Sequence, residues 1–401
     1  MCYDAQNYNE ILEQKIHAAK ESFNSNSVLG SIIQSFKAHQ FTIIPSLPKN
    51  FRHRCRFAII GGDVTSADGD CCTKDCELTY AMWDGGYPSI RIENFPIASI
   101  QISNAMSVVI KYISSSQSHS QGLKAIHFLS SSIGHIIITL IYDRPLSESE
   151  FVPFAMSLQS FLIDQAINEI NSNEISIIGR SKGTKHIIGK DYIYEMLKLA
   201  DGRELIYKQI DGGFSNPNSF VNGKVLDWMC GIIQRHIVGH CRADCPDLLE
   251  MFCGNGNHTV AIAGYFRRVV AVELNKLLCI AAEENCQTNH ILNALIVACD
   301  SDKFASIILR NRTYVDKHHQ DVQYSFGTVV VDPPRCGLDK RTRKMLEAYE
   351  FIVYISCNPV ALIRDLEELS ITHEILELGF FDHFAYTPHL ESGVLLRKKK
   401  S

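Results

Sequence analysis

The stretch Leu248-Leu-Glu-Met-Phe-Cys-Gly-Asn-Gly-Asn257 sets the architecture of the second half of this 401-residue chain. Its apolar start predicts a buried strand, and its two glycines lead into a helix whose free N–H groups can meet a ligand. Further strands, separated by helical patterns, are predicted at residues 269–272, 294–297, 327–331 and 351–355. Such strand–helix units predict an α/β fold, a doubly wound parallel sheet with ligands at the carboxyl ends of its strands. A last strand pair, around 374–381 and 393–397, should form a hairpin at one edge.

The first half of the chain has a different pattern, typical of an α+β domain. Residues 1–40 show helical periodicity, residues 52–143 show short alternating strands, and a helix is predicted over 147–170. We therefore predict a mainly antiparallel α+β domain at residues 1–204 and the α/β domain at residues 205–401. Residues 61–76, which are rich in Gly, Asp and Ser, are predicted to be a surface insertion.

The composition is that of an ordinary globular protein, with 46% hydrophobic and 21% charged residues. No apolar run approaches the ~18 residues that span a bilayer, and the start has no secretory pattern, so we expect a cytoplasmic protein. In the cytoplasm the 14 cysteines should be reduced. None of them has the paired spacing of a structural zinc site, so no metal is expected. Because the net charge is −5, nucleic-acid binding would require a local basic face.

Two neighbouring strand ends carry polar chemistry. Ser356-Cys357-Asn-Pro359 follows one predicted strand, and Asp332-Pro-Pro-Arg335 follows the strand before it. A cysteine ahead of a proline-started helix should face the ligand cleft, which indicates a nucleophile beside a planar substrate. Glu273 ends a third strand, where a carboxylate can accept hydrogen bonds from both hydroxyls of a ribose. The loop lacks the third glycine of the dinucleotide motif, and the pairing of this carboxylate with a ribose fits S-adenosylmethionine better than NAD.

Several motifs occur in one order along the chain and together carry a resemblance. In the second half they are Cys253-Gly-Asn-Gly-Asn257, Asp332-Pro-Pro-Arg335, Tyr354-Ile-Ser-Cys-Asn-Pro359 and His389-Leu-Glu-Ser-Gly-Val394. The first half adds Phe51-Arg-His-Arg54 and Ile178-Gly-Arg-Ser-Lys-Gly-Thr-Lys185, and Phe214-Ser-Asn-Pro-Asn218 follows. The chain strongly resembles the tRNA (uracil-5-)-methyltransferase family over nearly its full length.

The resemblance implies an amino-terminal RNA-binding domain followed by a Rossmann-like S-adenosylmethionine-dependent methyltransferase domain. It implies methylation of uridine C5 at position 54 in the tRNA T loop, giving 5-methyluridine through a cysteine–uracil adduct. Cys357 matches the family's nucleophile and Glu391 matches the base that removes the C5 proton. The matching cofactor-binding positions are Asn216, Phe252, Asn257, Glu273 and Asp332. Two of these positions depart from the family's usual pattern: Asn216 stands where the family commonly has Gln, and Phe252 where it often has Tyr. These departures should weaken cofactor affinity at most and should not abolish activity.

The expected partner is the T arm of tRNA, and the resemblance permits transfer-messenger RNA as a second substrate. Basic groups in the first half, Arg52, Arg54, Lys182 and Lys185, are candidate phosphate contacts, and Phe128 is a candidate platform for the extruded base. No membrane and no obligate protein partner is expected.

Three alternative functions remain at this point. A ribosomal-RNA uridine methyltransferase would share the chemistry, but such enzymes usually carry an extra amino-terminal barrel or a four-cysteine iron–sulfur motif. A tRNA-folding protein without catalysis would not need Cys357 and Glu391. An amino-methyltransferase with a related Asp-Pro-Pro motif would not need Cys357.

Overall fold

The computed structural model describes residues 5–61, 78–84, 86–115, 117–165, 174–240, 247–311, 314–316 and 322–400. The α-helices among them are α1 (Tyr8–Asn24), α2 (Gly30–Gln34), α3 (Ile100–Ser114), α4 (Gln117–Ser120), α5 (Glu148–Asp164), α6 (Ser219–Ile232), α7 (Asn257–Ile262), α8 (Lys276–Thr288), α9 (Ser301–Asn311), α10 (Lys340–Leu346) and α11 (Pro359–Thr372).

The β-strands of the described residues are β1 (Phe41–Ile44), β2 (Arg54–Ile60), β3 (Thr79–Asp84), β4 (Tyr87–Ile92), β5 (Leu123–Ser130), β6 (Ile136–Tyr142), β7 (Ile175–Ser181), β8 (Thr184–Ile188), β9 (Tyr192–Lys198), β10 (Glu204–Ile210), β11 (Asp247–Met251), β12 (Val269–Glu273), β13 (Ala294–Ala298), β14 (Tyr314–Asp316), β15 (Val322–Tyr324), β16 (Phe326–Val331), β17 (Phe351–Ser356), β18 (His373–Phe381) and β19 (Glu391–Lys398).

The chain forms two compact units whose boundaries differ from the predicted ones. The larger unit comprises Met1–Ser46, Leu197–Lys208 and Gly213–Ser401, and the smaller unit comprises Leu47–Met196 and Gln209–Gly212. The first 46 residues therefore belong with the carboxyl-terminal half, against the predicted division at 204/205. The physical reason is that β1 pairs in parallel with β18, from Phe41 opposite Leu378 to Ile44 opposite Phe381.

The larger unit is built on the predicted parallel sheet, with the strand order β1-β18-β19-β17-β16-β11-β12-β13. Neighbouring strands are parallel except at β19, which is antiparallel to both β17 and β18 and forms the predicted hairpin with β18. Every residue of β11 and β17 is buried, as expected for central strands covered on both faces. The doubly wound α/β architecture predicted for this half is thus confirmed.

Local sequence explains how two loops at the carboxyl strand ends are shaped. Gly256 precedes α7 with φ +79°, and a Cβ on it would lie 3.3 Å from that of Ala282, so glycine allows both the turn and the close packing of α8. Asn358 caps α11 by accepting a hydrogen bond from the backbone N–H of Val360, and Pro359 opens the helix. Helix α11 consequently begins directly after Cys357 and its capping asparagine.

The smaller unit has the predicted α+β character. Its sheet has the order β4-β3-β2-β5-β6-β7-β8 and is antiparallel except between β6 and β7. Phe128 on β5 is buried in the core of this sheet, where its ring packs against Phe57 and Tyr80. The prediction of Phe128 as a platform for an extruded base is therefore wrong, because its ring is covered by the core.

Two further predictions concern cysteine-containing segments and possible membrane spans, for which the structure describes only part of the chain. Residues 62–76 of the predicted insertion, with Cys71, Cys72 and Cys76, lie outside the described residues, as do Cys241 and Cys245. In the part of the chain that the structure describes, no three or more His, Cys, Asp or Glu side chains are grouped to hold a metal ion. Nor does any helix of that part have the length and apolar character required to span a membrane.

Candidate active site

Cys357 lies where the sequence predicts, between the end of β17 and the start of α11, and its side chain is half-buried. Burial raises the pKa of its thiol, the carboxylates of Glu391 and Asp332 raise it further, and the Arg335 guanidinium lowers it. The amino end of α11 also favours a thiolate at this position. Burial and the two carboxylates therefore favour the neutral thiol of Cys357, whereas Arg335 and the amino end of α11 favour the thiolate.

Two carboxyl groups share the surroundings of Cys357. Glu391 begins β19 and is buried, and Asp332 follows β16 and is half-buried. Burial raises the pKa of Glu391 to about 8, with Asp332 adding to the rise and His258 opposing it. Burial also raises the pKa of Asp332 to about 6, with His258 opposing the rise and Glu250 adding to it. A carboxyl group with a pKa near neutrality can both accept and release a proton at working pH.

The loop that carries Asp332 and Arg335 is held by side chains of α11 and its cap. Asn358 donates from Nδ2 to the carbonyl oxygen of Arg335 at 2.9 Å, which joins the loops that follow β16 and β17. Asp365 is fully buried and accepts hydrogen bonds from the Leu338 backbone N–H at 2.9 Å and the Tyr354 hydroxyl at 2.7 Å. The sequence analysis does not single out Asp365, since a lone helix aspartate has no distinguishing pattern.

Glu273 lies at the end of β12, against the glycine loop. Its Oε2 accepts a hydrogen bond from the Gly254 backbone N–H at 3.1 Å, and its Oε1 accepts one from the Asn275 backbone N–H at 2.7 Å. Each oxygen keeps a lone pair for a further donor. Gly254 has φ +57°, and a Cβ there would meet open space. Glu273 is thus held in place by the loop and can still accept hydrogen bonds from a pair of hydroxyls.

Three asparagine side chains form one network next to this loop. Asn216 donates to Oδ1 of Asn222 at 2.9 Å, and Asn257 donates to the same oxygen at 3.0 Å. Asn222 in turn donates to Oδ1 of Asn257 at 2.9 Å. The Tyr207 hydroxyl donates to the backbone oxygen of Asn257 at 2.9 Å. The network brings together the predicted residues Asn216 and Asn257 through Asn222, which the sequence analysis missed.

Phe252 has an unusual backbone conformation, with φ +65°. The left-handed region is unfavourable for an aromatic residue and is found mostly where the surrounding structure has a functional reason to impose it. Phe252 stands between β11 and Gly254 with a half-buried ring. The five predicted cofactor positions lie at the carboxyl edge of the sheet or in the asparagine network.

Two buried histidines that the sequence analysis did not single out lie next to the carboxyl groups. His258 on α7 has Nδ1 3.7 Å from Oε1 of Glu250. Burial opposes protonation of His258, but Glu250, Asp332 and Glu391 together raise its pKa above the ordinary value. His383 has Nε2 3.3 Å from Oε2 of Glu391. His258 lies in a short, mostly apolar helix and His383 lies in a loop. Neither position has a sequence pattern that marks a functional histidine.

The loop between β18 and β19, which leads to Glu391, is anchored by the amino-terminal helix. Lys15 on α1 forms a buried ion pair with Asp382 and donates to the Phe384 carbonyl oxygen at 3.2 Å. The Tyr8 hydroxyl donates to Oδ2 of Asp382 at 3.0 Å. The Asp382 backbone N–H donates to the Ile44 carbonyl oxygen at 2.9 Å. Helix α1 and strand β1 thus fix one side of the site.

A doubly wound parallel sheet with an antiparallel hairpin, and with a carboxylate at a strand end held against a glycine loop, has the fold of an S-adenosylmethionine-dependent methyltransferase. The chain belongs to the tRNA (uracil-5-)-methyltransferase family, whose model matches residues 18–399. It is therefore an enzyme of that family, as the motifs predicted.

Individual relatives agree with this assignment. The chain is 40% identical over 373 residues to the tRNA/tmRNA (uracil-C(5))-methyltransferase of Yersinia enterocolitica, covering 92% of this chain and 94% of the relative. It is 34% identical over 393 residues to the enzyme of the same name from Nitratiruptor, covering 98% and 95%. Among solved structures, the Pyrococcus abyssi tRNA (uracil-54, C5)-methyltransferase in complex with S-adenosyl-L-homocysteine has a TM-score of 0.65 at 20% identity, covering 97% of this chain and 83% of that one.

Proposed function

We propose that this enzyme transfers a methyl group from S-adenosylmethionine to C5 of the uridine at position 54 in the tRNA T loop, through a covalent adduct with Cys357. The observation that carries the proposal is the position of Cys357 at a strand end, within the electrostatic influence of Glu391 and Asp332. The names of the relatives support tRNA as the substrate, and transfer-messenger RNA as a second one. The cytoplasmic location expected from the sequence is part of the same proposal.

Cys357 begins the reaction. Uracil C5 is a weak nucleophile, so the thiol loses its proton to solvent and the thiolate adds to C6. The π electrons of the C5–C6 bond move onto C5 and the C4 oxygen, which makes C5 nucleophilic. Arg335, which lowers the pKa of the thiol, favours the first of these steps.

Glu391 ends the reaction. The methyl group comes from S-adenosylmethionine when it is bound, and C5 accepts it while still carrying its proton. Glu391 then removes that proton, the C–H electron pair restores the C5–C6 double bond, and the sulfur leaves C6 as a thiolate. Because the pKa of Glu391 is about 8, this step should accelerate as the pH rises towards that value.

The cofactor fits the residues present. Glu273 would accept hydrogen bonds from the ribose hydroxyls, because its oxygens are fixed by backbone N–H groups and retain free lone pairs. The open space beside Gly254 lets a ligand approach the backbone. Leu274, directly after Glu273, has an apolar side chain 66% exposed, which suits a purine face. The cofactor site would be completed by Asn216, Asn257, Phe252 and Asp332.

The smaller unit supplies a cationic surface for RNA. Arg54 and Arg56 project from one face of β2, opposite the buried Cys55 and Phe57. His127 lies directly across from Arg56 on β5. Burial and the neighbouring Arg56 lower the pKa of Arg54 to about 10. An arginine whose charge is disfavoured by its neighbours gains from an approaching phosphate, so we assign this face, with Arg52, to phosphate contacts.

The other predicted basic residues are weaker candidates. Lys185 forms an ion pair with Asp191 at 2.7 Å, so part of its charge is already neutralised. Lys182 is exposed in the turn between β7 and β8. We therefore expect Arg54 and Arg56 to contribute more to RNA affinity than Lys182 and Lys185.

The covalent step can be tested with T-arm RNA that contains 5-fluorouridine, whose C5 cannot release a proton. We expect the wild type to form a denaturation-resistant complex, and Cys357→Ala to form none while binding RNA within a few fold. With normal RNA, Glu391→Gln should accumulate an already methylated covalent adduct, detected by mass spectrometry. A matched control is Cys336→Ala, which removes an exposed cysteine of the same strand-end region. Methyl transfer by Cys357→Ala would contradict the assignment.

A further inference from the structure

His383 is placed directly beside the proposed base. Its Nε2 lies 3.3 Å from Oε2 of Glu391, and the side chains of the two residues are 1% and 11% exposed. The other ring nitrogen, Nδ1, is buried and has no hydrogen-bond partner among the described residues. The ring thus faces the carboxyl group of Glu391, and His258 is a further titratable neighbour.

The surroundings decide which nitrogen carries the hydrogen. A neutral imidazole has one N–H donor and one acceptor nitrogen. A hydrogen on Nδ1 would leave a buried donor unpaired, at a cost of about 1–3 kcal/mol, whereas a bare Nδ1 lone pair is less unfavourable. We therefore assign the ring hydrogen to Nε2, so that an N–H donor faces the carboxyl group of Glu391.

The charges around the pair keep the imidazole neutral. Burial lowers the pKa of His383 to about 3, and the neighbouring His258 contributes to the decrease. Glu391 itself is surrounded by Asp332 from the loop after β16, His258 from α7 and Cys357 after β17. His258 in turn contacts Glu250 on β11. At working pH His383 therefore remains neutral. Its ring donates one N–H hydrogen bond but does not transfer a proton in the reaction.

We propose that His383 is the positioning residue of Glu391: its Nε2–H holds Oε2, favours the ionised carboxylate and leaves Oε1 to take the proton from C5. The inference rests on the proposed function. In this step the C5–H bond breaks and the proton moves to Oε1. The C–H electron pair forms the C5–C6 double bond, and the C6–S bond breaks with its pair remaining on Cys357. The proton on Oε1 then passes to solvent.

The test separates adduct formation from adduct breakdown. His383→Leu removes the donor at similar volume, and His383→Gln replaces it with an amide N–H. We expect His383→Leu to form the methylated adduct at nearly the wild-type rate, to break it down at least tenfold more slowly at pH 7, and to move the pH midpoint of breakdown upward. His383→Gln should restore most of the rate. Rapid-quench sampling with labelled methyl donor measures both steps.

A second buried histidine provides the control. His373 on β18 contacts the Tyr349 carbonyl oxygen at 2.9 Å and lies outside the site, so His373→Gln should affect thermal stability but neither the rate nor the pH midpoint of breakdown. If His383→Leu does not fold, His383→Asn, whose amide is too short to reach Glu391, takes its place. Breakdown at the wild-type rate and midpoint in a folded variant without the donor would overturn the inference. Absence of an adduct in the wild type would instead refute the proposed function.

Discussion

At the scale of single residues, Asn222 shows how an uncharged side chain outside the predicted motifs can organise a site. Its carboxamide oxygen accepts from both Asn216 and Asn257, and its N–H group donates back to Asn257. The two outer amides belong to the proposed cofactor site, so their orientation depends on the one between them. Asn216 is shorter than the Gln common in the family, and its contact with Asn222 is one reason the shorter amide can still be held in place.

We predict that Asn222→Ala weakens binding of S-adenosylhomocysteine about tenfold, because the loss of hydrogen bonds worth roughly 0.5–1.5 kcal/mol each frees both neighbouring amides. Titration calorimetry measures the change, with Glu273→Ala as a comparison expected to bind at least as weakly. Asn293→Ala is the matched control, since the Asn293 amide donates to the backbone oxygens of Ala263 and Phe266 in the same unit. An unchanged affinity for Asn222→Ala would show that the network is structural only.

The residues that could be predicted from sequence are those tied to strand ends. Cys357, Asp332 and Glu273 each follow an apolar run, and the order of such runs along the chain places them at one edge of the sheet. Asn222 and His383 could not be predicted in this way. Each is a single polar residue whose proposed role depends on a neighbour brought close by the fold, and no local spacing records that neighbour.

At the scale of elements, the same limitation explains the misplaced domain boundary. The periodicity of residues 1–40 predicts helical structure, and α1 and α2 confirm it. The pattern of β1 does not say that its partner is β18, because strand pairing between distant segments depends on the assembled sheet. The predicted division therefore places residues 1–46 in the wrong unit, although they hold the loop that leads to Glu391.

This anchoring predicts a measurable effect at Lys15. Lys15→Met should lower the thermal unfolding midpoint by several degrees and slow methylation, because it leaves the Asp382 carboxylate buried without its cation, a loss of about 3–5 kcal/mol. Scanning calorimetry and turnover of the folded protein measure the two effects. Lys37→Met, which removes an exposed lysine of the same segment, is the control.

The double variant Lys15→Met, Asp382→Asn tests whether the ion pair itself is responsible. Removing both charges should recover part of the lost stability relative to Lys15→Met alone, because no unpaired charge is then buried. Stability equal to the wild type in Lys15→Met would mean that the ion pair does not contribute to the anchoring of α1.

At the scale of the whole molecule, the charge distribution matters more than its total. The chain is acidic overall, with a net charge of −5, while Arg54 and Arg56 concentrate positive charge on one sheet face of the smaller unit. Phosphate contacts release counterions, so the logarithm of affinity falls with the logarithm of salt concentration by ~0.7–0.9 per neutralised phosphate. A local basic face can therefore account for RNA binding by an acidic protein.

We predict that Arg54→Ala with Arg56→Ala weakens tRNA binding and lowers the salt slope by about one to two, with cofactor affinity unchanged. Filter binding over a range of potassium chloride concentrations provides the slope. Lys111→Ala is the control, because Lys111 is an exposed residue of α3, the helix whose Met106 carbonyl oxygen accepts from the core residue Tyr80. A salt slope identical to that of the wild type would place the RNA-binding face elsewhere.

The anchoring of α1 also has a consequence for how the protein is made. Tyr8 and Asp382, which are joined by a hydrogen bond, are 374 positions apart in the chain. The segment that contains α1 is translated long before its partners, β18 and the loop that follows it. The smaller unit, mostly contiguous from residue 47 to 196, can fold during synthesis. The larger unit can complete its sheet only after β18 and β19 have been translated, so no product that stops before these strands should be active.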